Sequence, residues 1–226
     1  MKDKSLIYFG VFTGLVVMTG VFFLVKRNRL SRFKKRLVDN SIREWELWGK
    51  PSYTLSGDFE GAATECTPVY KDRVGEYWRK GPNKNIDGCD RSVPWSSAFI
   101  SFVMKKSGAG NDFVYSSAHT NYIRQAVKNR KENNNNPFKA YRLSEKPVEV
   151  GDLICYSRQA GVDYDTTWSY KSHCDVVTKV DKSNRTAEII GGNVSDGVTK
   201  RLVNLDSKNR LIDRGNSWFT IIKNGK

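Results

Sequence analysis

The chain has few of the side chains on which metal centres depend. Its 226 residues include two histidines, His119 and His173, and four cysteines with neither a CxxC pair nor zinc-finger spacing. A zinc hydrolase needs a cluster of His and carboxylate ligands, which two histidines scarcely permit. We therefore expect no metal and no other cofactor, and any histidine-dependent chemistry has two candidates.

The cysteines leave two alternatives open. Four cysteines permit two disulfides in an oxidising compartment, in any of three connectivities, and free buried thiols are the alternative. Cys155 and Cys174 fall on runs that we expect to be adjacent strands, where a cross-strand contact or disulfide fits. Neither opens a helix, so neither has the environment of an attacking thiol.

Charge is absent from residues 6–25, which read LIYFGVFTGLVVMTGVFFLV. A helix of that length rises about 30 Å, the thickness of the hydrocarbon core of a bilayer. A cleaved signal peptide usually has an apolar region of about 7 to 15 residues followed by a small-residue cleavage site. This run is longer and ends in KRNRLSRFKKR, so we predict a single uncleaved transmembrane helix, with residues 1–28 as the anchor.

A basic segment follows the apolar run. Residues 26–36 contain seven Lys or Arg and no acidic residue, half of the net charge of +14. Such a segment binds anionic lipid headgroups. A nucleic-acid site would need basic residues interleaved with stacking aromatics, so we expect no nucleic-acid partner. Because basic residues beside a span tend to stay inside the cell, the charge pattern predicts a cytoplasmic C-terminal part.

Apolar residues recur at helical spacing in the first half of the remaining chain. The predicted helices cover approximately residues 30–50, 67–81, 96–108 and 117–131. We assign residues 29–58 to a juxtamembrane basic, amphipathic helix and linker that carries the rest of the chain away from the membrane. Residues 59–226 are expected to form one folded domain.

The second half changes to short β-rich runs separated by Gly, Asn, Asp and Ser. These runs cover residues 147–157, 173–180, 186–194, 197–205 and 217–223. Helices followed by an antiparallel meander predict an α+β fold with segregated elements.

The stretch VPWSSAFISFVM, residues 93–104, places Ser96 at the start of a predicted helix. The first N–H groups of a helix are unpaired and partly positive, so they can stabilise an oxyanion. A nucleophile there needs a base and a group that orients the base. His173, which leads a strand-like run, is the natural base, and Asn193 of the next run is the natural orienter.

The order PWSSAFISFVM, SSAHTNYIRQA, VEVGDLICYSR, SHCDVV and IIGGNVSDGV resembles family 2272 of the domains of unknown function. It is also similar to the layout of papain-like cell-wall hydrolases, including the CHAP amidases. The similarity runs from about Glu65 to Asp213 and implies a papain-like cell-wall hydrolase fold behind the transmembrane helix. It places Ser96 at the nucleophile, His173 at the base and Asn193 at the orienter, although the papain-like enzymes have cysteine where this chain has Ser96.

Three hypotheses for Ser96 follow. It is a serine nucleophile, or it only caps the helix of an inactive binding domain, or the chemistry belongs to other residues. Glu65 and Glu76 are carboxylates that could cleave a glycosidic bond. Substrate-binding or accessory roles are expected for four residues near the predicted site: Trp95, Ser97, His119 and Glu65.

The resemblance implies a membrane-anchored hydrolase of amide bonds, an amidase or endopeptidase, with peptidoglycan as its partner. The alternatives are an inactive papain-like binding domain and a structural membrane component of a phage particle or secretion machine. The localisation evidence conflicts, because the charge pattern predicts the cytoplasm whereas a wall substrate requires the outside of the cell or a virion. The sequence leaves the oligomeric state open.

Overall fold

The computed structural model describes residues 30–61, 64–213 and 216–226. Its helices are α1 (Arg32–Leu47), α2 (Pro68–Lys80), α3 (Ser96–Ser107) and α4 (His119–Lys131). Its strands are β1 (Ser52–Tyr53), β2 (Phe59–Glu60), β3 (Phe138–Tyr141), β4 (Leu153–Ser157), β5 (Ser172–Asp181), β6 (Thr186–Val194), β7 (Gly197–Asn204) and β8 (Ser217–Asn224).

The predicted transmembrane helix, residues 6–25, lies outside the described residues. Within the described ranges, no helix has the length and apolar character needed to cross a bilayer.

The strands form one eight-stranded sheet in the order β2-β1-β7-β6-β5-β4-β8-β3. Strands β4 to β7 pair as the antiparallel meander that the sequence predicts, and the α+β class is confirmed. The prediction missed β1, β2 and β3, which are only two to four residues long. Strand β1 pairs in parallel with β7, so the sheet is mixed.

Helix α3 lies at the centre of the helical layer and is buried along most of its length. It contacts α1 and α2 on one side and β5 and β6 on the other. Gly192 of β6 makes this approach possible, because a Cβ there would come within 2.5 Å of the Phe99 Cβ. The position of α3 therefore depends on a glycine in the strand beneath it.

Helix α1 belongs to the folded domain, in contrast to the predicted linker. Phe33 and Leu37 are buried in the same core as α3, and β1 extends the main sheet. The predicted boundary between residues 58 and 59 therefore divides one folded unit. The sequence was misleading because the amphipathic face of α1, expected near the membrane, covers the domain core.

A buried carboxylate joins three helices. Glu44 of α1 is fully buried and accepts hydrogen bonds from Arg73 Nε at 2.8 Å and from the Tyr77 hydroxyl at 2.9 Å, both on α2. Lys106 of α3 lies 3.2 Å from the same carboxylate. Because a buried charge is tolerated only when it is paired, this cluster fixes how α1, α2 and α3 meet.

Two disulfides are present, Cys66–Cys89 and Cys155–Cys174. The second joins β4 to β5 at residues that lie directly opposite each other in the sheet. Of the two alternatives that the cysteine count left open, the structure has the disulfides.

Replacing Glu44 by Ala is expected to lower the free energy of unfolding by about 3 kcal/mol, because Arg73 and Lys106 lose their buried partner. Urea unfolding followed by tryptophan fluorescence measures the change. Glu46→Ala is the matched control, since Glu46 makes only an exposed pair with Lys50 and should cost less than about 1 kcal/mol. Equal losses in the two variants would contradict a structural role for the Glu44 cluster.

Candidate functional site

Two helix N-termini meet beside Ser96. Ser96 is the first residue of α3, and its N-cap, Trp95, makes no capping hydrogen bond through its side chain. Helix α4 begins at His119, and its N-cap, Ala118, makes none either. Uncapped first-turn amides carry partial positive charge, so this junction suits the oxyanion of a tetrahedral intermediate.

Ser96 is hydrogen-bonded to a histidine, but to His119 and not to His173. The Ser96 Oγ lies 2.7 Å from His119 Nε2, and both residues are buried. The other ring nitrogen of His119, Nδ1, is hydrogen-bonded to the Tyr122 hydroxyl one helical turn later. The residue expected to be accessory is therefore the one in direct contact with the predicted nucleophile.

His173 lies immediately behind this pair. It is the second residue of β5, and its ring centroid is 5.2 Å from that of His119 and 5.1 Å from that of Tyr156. His173 Nε2 is 3.3 Å from Asp175 Oδ1, and the other oxygen of Asp175 accepts a hydrogen bond of 2.5 Å from Arg201. A line of buried polar groups thus runs from His119 to Arg201.

The predicted orienter, Asn193, is not the partner of His173. In the described part of the chain no hydrogen bond joins the two residues, and Asp175 occupies that role. Asn193 lies where the pairing of β6 with β7 shifts register, with φ at +55°. Its backbone conformation serves the turn between these strands.

Asp175 had a signal in the sequence that the prediction overlooked. Residues two apart on a strand share a face, so His173 and Asp175 in SHCDVV lie side by side. Gly191 of β6 leaves them the room, because a Cβ there would collide with both Asp175 Oδ1 and His173 Nε2. No local sequence pattern indicates a role for Arg201, because it comes near Asp175 only through the pairing of β6 with β7.

Burial dominates the protonation of both histidines. It lowers the pKa of His119 well below its usual value, and the neighbouring His173 adds to the effect. Burial also lowers the pKa of His173, although Asp175 opposes the shift. Burial alone would raise the pKa of Asp175, but Arg201 and His173 hold it at about 2. At neutral pH the site therefore contains two neutral imidazoles next to a carboxylate–guanidinium pair.

The hydrogen bond to Asp175 sets the tautomer of His173. An ionised carboxylate accepts only, so the proton of His173 lies on Nε2 and Nδ1 is the acceptor. Among the described residues, that buried Nδ1 has no hydrogen-bond partner.

The other predicted residues support the helix end. Trp95 Nε1 donates a hydrogen bond of 2.6 Å to Glu65, and both residues are buried outside the cleft. Ser97 donates to the carbonyl of Ser116 at 2.8 Å, which ties α3 to the segment before α4.

Glu76 pairs with Arg73 and Lys80 on α2. Glu65 and Glu76 are therefore not the two carboxylates of a glycosidase site.

Ser96 and His119 lie at the floor of an open cleft of about 690 Å³. The segment before α3, the start of α4 and the β4–β5 connection form its walls, with Ser92, Ser117 and Tyr170 among the lining residues. Across residues 30–61, 64–213 and 216–226, no three His, Cys, Asp or Glu side chains are grouped to hold a metal ion.

Comparison with known proteins gives one family and one solved structure. The model of a family described as "Uncharacterized protein conserved in bacteria (DUF2272)" matches residues 43–221. No curated protein matches the chain significantly. The chain is similar to the crystal structure of Ly7917 with the hydrolyzing product of MDP, with 17% identity and a TM-score of 0.29. That match covers 53% of this chain and 42% of Ly7917, so the chain spans less than half the length of that protein.

The pKa shifts predict how Ser96 reactivity depends on pH. A fluorophosphonate reagent should label Ser96 at a rate that requires a neutral imidazole, and that rate should fall only well below pH 6.5, because burial lowers the pKa of His119. Asp175→Asn removes a negative charge that raises the pKa of both histidines, so the midpoint should move to lower pH.

Labelling rates from pH 4 to 9 measure this profile, with circular dichroism to verify that the variants are folded. Asn193→Ala is the matched control and should leave the midpoint in place. A midpoint at 6.5 or above in the unmodified protein, or a shift with Asn193→Ala equal to that with Asp175→Asn, would contradict the assignment.

Proposed function

The chain belongs to the bacterial family DUF2272, as the sequence resemblance predicts, and from this premise and the Ser96 site we propose that it hydrolyses amide bonds. One observation carries the proposal: the 2.7 Å hydrogen bond between Ser96 Oγ and His119 Nε2, at the floor of an open cleft. A serine hydroxyl is not ionised at neutral pH and therefore needs such a base during attack.

In the proposed reaction, His119 replaces His173 as the base in contact with the nucleophile. With its Nδ1–H donated to Tyr122, His119 Nε2 accepts the Ser96 proton while Oγ forms a bond to the substrate carbonyl carbon. The first-turn amides of α3 stabilise the oxyanion. The C–N bond then breaks as His119 gives the proton to the leaving nitrogen. Water next attacks the acyl carbon while His119 Nε2 takes up its proton, and the bond from that carbon to Ser96 Oγ breaks as the proton returns to Oγ.

His173 and Asp175 act as positioning residues in this proposal. The ring of His173 packs beside that of His119, and the Asp175 carboxylate favours the imidazolium that forms when the base takes up a proton. Arg201 keeps that carboxylate ionised and fixed in place. Loss of His173 should therefore reduce the reaction less than loss of His119.

Peptidoglycan is the proposed substrate, on the strength of the sequence resemblance to papain-like cell-wall hydrolases. An amidase or endopeptidase fits the Ser96 site better than a glycosidase, because Glu65 and Glu76 are engaged elsewhere. An inactive binding domain is the alternative, in which Ser96 and His119 form only a structural hydrogen bond.

Ser96→Ala is expected to reduce hydrolysis of purified peptidoglycan by at least about 10³-fold, because in the proposed reaction Ser96 Oγ is the atom that forms the acyl intermediate. Release of free amino groups from the wall material measures the loss. Ser183→Ala is the matched control, since it removes a hydroxyl from the exposed turn between β5 and β6, outside the cleft. It should retain most of the activity.

Ser96→Cys is a second test, because a thiol at this position would lie at the same helix N-terminus and next to the same imidazole. It should retain measurable hydrolysis and become sensitive to iodoacetamide. Unchanged hydrolysis in Ser96→Ala would remove Ser96 from the mechanism. Wall binding without hydrolysis by the unmodified protein would favour the binding domain.

We further propose that the folded domain lies in an oxidising compartment, on the far side of the membrane from the cytoplasm. The disulfides Cys66–Cys89 and Cys155–Cys174 support this side, because structural disulfides persist outside the reducing cytoplasm. This location also suits a wall substrate, although the charge pattern near residues 26–36 predicts the opposite orientation. The predicted anchor and its lipid contacts remain part of the proposal.

Protease added to intact spheroplasts is expected to digest the region after residue 30, and non-reducing gels of untreated cells should show no free thiol. A maleimide gel-shift assay with and without reductant measures the thiols, with a cytoplasmic thiol protein as the control for leakage. Protection from protease together with four reactive thiols would place the domain in the cytoplasm and exclude a wall substrate for the cellular form.

A further inference from the structure

The cleft above Ser96 is lined by charge of one sign. Three basic side chains, Lys84, Arg158 and Lys171, line its walls, and none of its described lining residues is acidic. They come from different parts of the chain: Lys84 follows α2, whereas Arg158 and Lys171 stand at the two ends of the β4–β5 connection.

The charged groups of these side chains have no partner among the described residues. In the part of the chain that the structure describes, no ion pair or hydrogen bond engages the charged group of any of the three; Lys171 bonds Gln159 only through its backbone N–H. They differ in this from Arg130, which pairs with Glu145, and from Arg201, which pairs with Asp175. Because no carboxylate lies among the described residues that line the cleft, the positive field of these three side chains is not compensated there.

The backbone of two of them, Arg158 and Lys171, lies near the reacting groups, and both side chains are exposed. The backbone N–H of Arg158 donates to the carbonyl of Lys171 at 2.9 Å, which keeps the ends of the connection together. Lys171 is two residues before His173, and the charge of Arg158 helps to lower the pKa of both His119 and His173. The field of Arg158 therefore reaches the reaction centre.

A buried hydroxyl next to Lys171 in the chain, that of Ser172, also lacks a partner among the described residues. Ser172 lines the cleft and is 9% exposed, yet its Oγ makes no hydrogen bond within the described residues. A buried polar atom without a partner is costly in a folded protein unless a ligand or water completes it. Beside two free cations, a hydroxyl donor is suited to a carboxylate oxygen.

We propose that Arg158, Lys171 and the Ser172 hydroxyl bind a carboxylate of the substrate, next to the amide bond that Ser96 attacks. The ligand class is an acidic peptide, and Lys84, which lines the cleft from the segment after α2, adds long-range attraction. This inference rests on the proposed function for the location of the scissile bond. The binding preference itself can be measured without hydrolysis.

The test uses the full-length protein in detergent with Ser96→Ala, so that no peptide is cleaved. The probes are a soluble peptidoglycan stem peptide with free carboxylates and the same peptide with every carboxylate converted to an amide. Calorimetric titration at low salt should show the acidic peptide binding at least about tenfold more tightly, with a preference that weakens as salt is added.

Adding Arg158→Gln and Lys171→Gln should abolish that preference, whereas Arg158→Lys should retain part of it. Lys182→Gln is the matched control, because it removes the same charge from the β5–β6 turn, outside the cleft. Ser172→Ala should weaken only the acidic peptide.

Equal affinities for the acidic and amidated peptides would overturn the proposal. So would an unchanged preference in the double variant, or an equal loss with Lys182→Gln, which would indicate nonspecific attraction. If the double variant does not fold, Arg158→Gln and Lys171→Gln tested singly give the same comparison. A carboxylate preference in a protein that never hydrolyses wall material would remove the proposed hydrolysis and leave an acidic-peptide binding site.

Discussion

The site depends on two consecutive glycines of β6. Side chains of a strand alternate between its faces, so Gly191 and Gly192 open space on opposite sides of one strand. Gly192 admits Phe99 and Trp95 of the α3 end, whereas Gly191 admits the His173–Asp175 pair. Any side chain at either position would displace one half of the site. The helix that carries Ser96 and the strand that carries His173 can therefore both pack against β6, because Gly191 and Gly192 have no side chains.

The buried polar groups that run from His119 to Arg201 also explain why the side chains of the site have one fixed arrangement. His173 and Asp175 are fully buried and Arg201 is largely so, at a desolvation cost that their mutual contacts help to offset. Charged groups in such a setting have few alternative partners, so each fixes the orientation of the next. The imidazoles of His119 and His173 are therefore held at a fixed separation. They lie next to Ser96, at the N-terminus of α3.

Much of the fold could be predicted from the sequence, because its local signals are strong. The Thr67-Pro68 start, the Gly108 end and the alternation in the second half locate four helices and five strands to within a few residues. The short strands β1 and β2 carry no periodicity, and β1 forms by pairing with distant β7. The role of α1 was missed because an amphipathic face has the same pattern whether it covers a membrane or a core.

The site was harder to predict than the fold. The pattern located Ser96 and His173 correctly at a helix start and a strand end, yet it could not rank two histidines whose distances depend on tertiary packing. His119 is brought to Ser96 by the position of α4, which no local motif encodes. The two-residue alternation of a strand could have located Asp175. Asn193 was preferred because it lies on the next predicted strand, a choice that the family layout also implied.

The disulfide between Cys155 and Cys174 bears on more than stability. A shift of β5 by one residue against β4 would turn His173 and Asp175 to the other face and bring Cys174 into their place. The disulfide joins two cysteines that lie directly opposite each other in the observed register of β4 and β5. In that same register His173 lies on the face where Asp175 also lies. A disulfide between Cys155 and Cys174 therefore ties the strand register to the face on which the imidazole of His173 lies.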